Sequence, residues 1–110
     1  MLLLDDDDEL PAEPDERERA LTEELGEAAL RAIDEALLAE LGTSRYKVAR
    51  IILGALERGG YPKMDDAYID LHARRVIALV EAGSLVAFGN LRRPRFSEVR
   101  RPARVGPTLH

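Results

Sequence analysis

Arginine is the residue type with the clearest chemistry in this chain. Arg92, Arg93 and Arg95 crowd one short stretch, and Arg100, Arg101 and Arg104 follow just beyond it. A guanidinium presents a planar fork of donors that matches the geometry of phosphate. Each phosphate neutralised also releases counterions, which makes such a cluster a salt-sensitive polyanion binder. Lys47 and Arg50 form a second basic pair upstream. Arg92, Arg93, Arg95, Lys47 and Arg50 are therefore the candidate nucleic-acid contacts. The competing role for the same arginines is to cover an acidic helix, within the molecule or across a dimer.

Other chemistry has little to stand on. The chain has no Cys, which removes disulfides, thiolate zinc sites and a cysteine nucleophile. Its histidines are His72 and His110. His72 reads as a surface residue of a helix, with a metal site beside Asp65 or Asp70 as the remote option. The run Asp5 to Glu9 lacks the Gly and the terminal Glu of a calcium loop. Gly59-Gly60 lacks the following Lys-Ser/Thr and the preceding strand of a phosphate loop. Ser44, Ser84 and Ser97 have no histidine placed as a base. This inventory points to a non-enzymatic protein that needs no cofactor and no metal.

The positioning elements must come from 110 residues, enough for one domain with one modest core. The formal charge of -5 conceals an asymmetry: the residues through Leu41 sum to -12 and those from Gly42 onward to +7. Either the acidic part screens the basic end, or the two halves meet different partners. The opening MLLLDDDD has no basic region and too short an apolar run for a secretory signal. No stretch approaches the roughly 20 apolar residues that span a bilayer, so the expectation is a soluble cytoplasmic protein without membrane contact.

Met1 to Pro14 is acidic and without apolar period, which predicts a disordered arm; Leu2 to Leu4 as a partner-binding anchor is the sharper alternative. Helical signal runs from Asp15 to Leu41. Thr22 is expected as an N-cap, Gly26 separates a lead-in helix, and Leu25, Ala29, Ile33, Ala36, Leu37 and Leu41 form the buried stripe. Gly42 is the expected stop. Ser44 is expected to cap a second helix from Arg45 to Arg58, burying Val48, Ile51, Ile52, Ala55 and Leu56, with Gly59-Gly60 as its stop. Asp65 or Asp66 caps a third helix through Ala82, with Ile69, Ala73, Val76, Ile77 and Val80 inward. Gly83 then suits a left-handed terminus.

Ser84 to Asn90 and Arg95 to Arg101 read as two strands joined by LRRP. Leu85 with Val99, and Phe88 or Phe96, are the expected contacts to the helices, and Ala103 to His110 is a loose tail. The predicted fold is mainly α: three or four helices with a C-terminal two-stranded hairpin over residues 15–102, in a winged helix-turn-helix-like arrangement. On such a fold the hairpin lies along a duplex while the third helix approaches the major groove. That helix opens with Asp65, Asp66 and Asp70, however, and carboxylates there repel phosphate. The five aromatic residues, Tyr46, Tyr61, Tyr68, Phe88 and Phe96, form no interleaved stacking platform in the sequence and read as junction packing.

Three stretches carry a family likeness: YKVARII (Tyr46 to Ile52), RRVIALVEAGSL (Arg74 to Leu85) and GNLRRPRFSEVRR (Gly89 to Arg101). Over Leu21 to Pro102 the chain resembles a bacterial domain-of-unknown-function family, often the C-terminal part of larger two-domain proteins. Its pattern is a K-V-A-R helix, an arginine-led helix with L-V-x-x-G-x-L, then G-x-L-x-x-x-R-[FY]-S-E-V. Tyr46 stands where many relatives carry Trp or another nearby aromatic, and Pro94 where Met is frequent. The resemblance implies a small helical domain with a hairpin and brings no activity or site residues. Two functional expectations result. One is a module that binds double-stranded DNA through the basic hairpin or serves a regulatory complex. The other is a protein-interaction module, a homodimer or a subunit of a larger complex, without nucleic acid.

Overall fold

The structure, a computed structural model, describes residues 9–102. The acidic run before Glu9 and the tail after Pro102 lie outside the described residues. Helix α1 spans Glu16–Ala39. Its N-cap is Asp15, whose carboxylate accepts a 2.8 Å hydrogen bond from the Glu18 N–H. Thr22, the expected cap, sits inside the helix and donates its hydroxyl to the Glu18 carbonyl at 2.9 Å. The earlier start has a packing reason: Leu21, which precedes the expected cap, is buried. Gly26 breaks the helix at φ 82° and ψ 172°, where a side chain would be strained.

The expected Ser44-capped helix needs correction. Tyr46–Lys47 form a short strand, β1, and helix α2 spans Val48–Gly59 without a side-chain cap. Tyr46 and Lys47 pair with Val99 and Glu98, and the Val48 N–H donates to the Ser97 carbonyl at 3.0 Å. A tertiary partner thus satisfies a helix-end donor that a local cap would otherwise serve. The inward face of α2 is as expected, with Val48, Ile51, Ile52, Ala55 and Leu56 all at 0% exposure.

Helix α3 spans Asp66–Glu81, and Asp65 caps it through a 2.9 Å bond from the Ala67 N–H. Strands β2 (Val86–Phe88) and β3 (Glu98–Arg100) follow, separated by a 3-10 turn at Pro94–Phe96. The sheet is three-stranded and antiparallel in the order β1-β3-β2, rather than a two-stranded hairpin. An isolated hairpin is marginal in water, and β1 pairs the second edge of β3. Among the described residues the protein is thus mainly helical with a small antiparallel sheet, and no helix is long and apolar enough to cross a membrane.

The three helices all pack on one another, with α1 against α3 the most extensive of these contacts. Ile69, Ala73 and Val76 are buried as expected, but so are Ala67, Leu71, His72 and Leu79. His72 is therefore no surface residue. Its Nδ1 lies 2.8 Å from the Tyr68 carbonyl and the Tyr61 ring meets it edge-on at 5.7 Å. Burial pushes its pKa down, against the opposing effect of the bond to Tyr68.

Residues 9–14, expected to be part of a loose arm, instead form a strap. Leu10 is fully buried, its N–H donates to the Arg92 carbonyl at 2.7 Å, and its carbonyl accepts from Arg92 Nε at 2.6 Å. Further along, the Pro11 and Ala12 carbonyls accept from Arg74 Nη1 at 2.8 and 3.3 Å. The same arginine grips Glu18 of α1 with both arms, at 2.9 Å each, and Glu18 is only 2% exposed. Removing one partner of such a buried pair leaves an uncompensated charge. Arg74→Ala is expected to lower the unfolding free energy by about 3 to 5 kcal/mol. Leu10→Ala is expected to cost about 2 kcal/mol or more through its cavity. Urea unfolding checks both, and a loss below about 0.5 kcal/mol at either position would remove the strap from the folded core.

Candidate nucleic-acid interface

The structure divides the five candidate residues. Lys47, Arg50 and Arg95 are exposed and line one open hollow of about 390 Å³, together with Ala49 and Phe96. Three different elements bring them together: Lys47 ends β1, Arg50 lies in the first turn of α2, and Arg95 sits in the 3-10 turn. Lys47 Nζ donates to the Arg95 carbonyl at 3.2 Å, which ties the turn to the strand. The Arg50 guanidinium lies 4.9 Å from the centre of the Tyr46 ring, a cation–π distance that holds it over β1.

Arg92 and Arg93 are half-buried and differently employed. Arg92 directs Nε to the strap and borders a separate hollow with Ala12, Glu13, Pro14 and Arg74. Its backbone N–H is held by Asn90 Oδ1 at 3.0 Å, while Asn90 Nδ2 donates to Glu9 at 3.0 Å. Arg93 lies over the Phe96 ring at 4.9 Å. Arg92 is therefore set apart from the other four.

Sequence reasoning missed a further cationic surface on the sheet. Lys47, Glu98 and Phe88 stand opposite one another across the three strands, so they share the face that Val99, fully buried, does not occupy. The Arg45 guanidinium sits 3.9 Å above the Phe88 ring and Arg100 lies 5.7 Å from the same ring. Arg45 also pairs with Glu98 at 2.8 Å. Only strand register reveals this cluster, and the Tyr46–Lys47 strand was not legible in the sequence. Phe96, expected as a junction contact, is instead 55% exposed beside the hollow.

Helix α3 offers no comparable surface. Asp65 is engaged as its cap and with Arg17 at 3.3 Å, Arg74 faces Glu18 and the strap, and Arg75 makes a two-armed pair with Asp34 at 2.9 Å. The guanidinium pKa values of Arg74 and Arg75 are raised, first by their hydrogen bonds to Glu18 and Asp34, against an opposing effect of burial. Among the described residues no group of three or more His, Asp or Glu is placed to hold a metal ion. No family model, no curated protein and no solved structure matches the chain.

The start of α3 carries an electrostatic cost. The Asp70 carboxyl is pushed up from 3.8 to about 6, first by burial and then by Glu18, Asp66 and Asp15, with Arg74 pulling the other way. The folded protein holds this proton to higher pH than the unfolded chain does. The penalty is thus absent in acid, grows as pH rises from 3.8 to about 6, and is complete above that. Asp70→Asn is expected to stabilise the fold at neutral pH by on the order of 1 kcal/mol, after allowance for partial exposure. In urea titrations the gain over wild type should vanish below the ordinary carboxylate range. A gain that is the same in acid and at neutral pH would mean that the charge of Asp70 is not its source.

Proposed function

We propose that this chain is a winged-helix-like, non-enzymatic module that holds the phosphate backbone of nucleic acid through its wing rather than through its third helix. The observation that carries the reading is the convergence of Lys47, Arg50 and Arg95 on one open hollow. The order helix, strand, helix, helix, strand, strand, with β1 against the outer edge of the hairpin, supports the winged-helix assignment. The buried flank and acidic start of α3 argue against major-groove readout by that helix. Contacts of this kind position a backbone without reading sequence.

Three phosphate contacts imply a log–log salt slope of about -3 for binding to duplex DNA. The triple variant Lys47→Ala/Arg50→Ala/Arg95→Ala is expected to flatten that slope and weaken binding at low salt. Arg92→Ala, whose side chain serves the strap, is expected to leave the slope unchanged. Electrophoretic shifts across a salt series measure both, and a wild-type chain that shifts no nucleic acid at low salt ends the proposal.

One observation favours a second reading, a protein-interaction module. Beside α1 and α3 lies an open hollow of about 390 Å³ where Pro14, Leu30 and Leu71 stand among charged side chains that include Arg19, Glu23 and Arg75. Apolar side chains in such a groove suit a protein partner or a second copy of the chain. Light scattering at high concentration and low salt tests the homodimer form, which a strictly monomeric chain excludes.

A further inference from the structure

We infer that the hollow beside the wing takes an unpaired nucleotide, with its base stacked on Phe96 and its phosphates on Lys47, Arg50 and Arg95. The inference rests on the nucleic-acid reading above and adds the kind of strand that is bound. Backbone binding alone needs only cations, and it leaves the exposed phenyl ring of Phe96 without a role. A ring 55% exposed forgoes most of the stabilisation that burial of a Phe side chain supplies. The surrounding structure nevertheless holds it there.

The hold on Phe96 is in its backbone. Its N–H donates to the Arg93 carbonyl at 2.9 Å, and the same carbonyl accepts from the buried Ser97 hydroxyl at 3.0 Å. Pro94, at the start of the turn, is buried. On the other side Gly89, at φ 91°, allows the Phe96 carbonyl a close approach: a Cβ on Gly89 would meet that oxygen at 2.9 Å. The turn is therefore fixed against both the loop and β2, and the ring is carried by a rigid backbone. Arg93 over the ring at 4.9 Å adds a cation to the same assembly.

An aromatic face rimmed by cations fits one ligand chemistry on this surface. Bases have π-faces that stack on aromatic side chains, and their phosphates seek guanidinium and ammonium groups. In a duplex those faces are already stacked on neighbouring pairs, so the ring would meet only the edge of the backbone. A free base presents its face. The volume of about 390 Å³ lies in the range of small-ligand clefts, large enough for one nucleotide unit. The Phe88 ring, with Arg45 and Arg100 beside it, stands on the sheet face shared with Lys47 and gives the strand a direction in which to continue. Stacking on this surface tolerates any base, so little sequence preference is expected.

Fluorescence anisotropy with the full-length chain tests this, using a dye-labelled thymidine oligonucleotide of about 12 nucleotides and a duplex of the same length. The single strand is expected to bind more tightly than the duplex at low salt. Phe96→Ala should weaken single-strand binding by about 5- to 100-fold, the range of one stacked base, and leave duplex affinity within about twofold. Phe96→Tyr, which keeps the ring face, should retain single-strand binding. Because Phe96 is exposed, these variants keep the core, which circular dichroism verifies. The triple variant Lys47→Ala/Arg50→Ala/Arg95→Ala should weaken both probes. Preference for the duplex, or equal loss of both probes in Phe96→Ala, overturns the stacking inference while leaving backbone binding intact. Absence of binding to either probe overturns both.

Discussion

The contact on which the rest of the structure depends is the two-armed pair between Arg74 and Glu18. One guanidinium gathers three segments that are distant in sequence: α1 through Glu18, the strap through the Pro11 and Ala12 carbonyls, and α3, which carries it. It also supplies positive charge to a crowded acidic region formed by Asp15, Glu18, Asp66 and Asp70, where it opposes the rise in the Asp70 pKa. A buried pair of this kind gains little net energy over an apolar contact, but its loss is expensive because the partner is left charged and dry. Its value here lies in registration. The strap that it clamps also meets the backbone and side chain of Arg92, so the course of the chain between β2 and β3 is tied to a contact made on α3.

The charge split along the sequence has a physical resolution in this arrangement. The acidic helix α1 is faced by arginines from the basic part of the chain: Arg74 on Glu18, Arg75 on Asp34 and Arg58 on Glu40. At the end of α1, Arg101 donates to the Leu38 carbonyl at 2.7 Å and Arg58 to the Ala39 carbonyl at 3.4 Å, placing positive charge at the negative end of the helix. The first alternative raised by the sequence, internal screening, thus applies to these arginines. Part of the basic charge is absorbed by the acidic helix, while Lys47, Arg50 and Arg95 line the open hollow at the start of α2.

What could be read from the sequence was what short-range periodicity and backbone chemistry dictate. The apolar spacing of α2 named its five buried residues, and Gly60 and Gly83 adopt the left-handed conformation that helix ends favour. What escaped depends on partners far along the chain. Tyr46–Lys47 is a strand only because Glu98 and Val99 lie opposite, and two residues carry no alternation to detect. Leu10 is one apolar residue in an acidic, proline-containing stretch, and it is held in the core by a backbone pairing with Arg92, far along the chain. His72 was misjudged because α3 is enclosed on more than one flank, so a face that reads as polar is also covered. Of the site, the residue types were legible and their grouping was not: adjacency made Arg92, Arg93 and Arg95 look like one patch, whereas the fold separates Arg92 and substitutes Phe96 and the upstream pair.

That regrouping bears on the kind of recognition open to the protein. A winged helix that reads sequence needs an exposed helix with donors at its N-terminal half. In this chain the start of α3 is engaged by Asp65, which both caps the helix and pairs with Arg17, and its flank is apolar and buried. On the nucleic-acid reading proposed above, recognition falls to the sheet and its turn, where the available chemistry is cationic and aromatic. Cations supply affinity that falls with salt, and ring faces supply contacts indifferent to base identity. On the same reading, discrimination rests on the state of the strand, paired or unpaired, because the side chains described on this surface are cations and rings rather than groups set to read base edges.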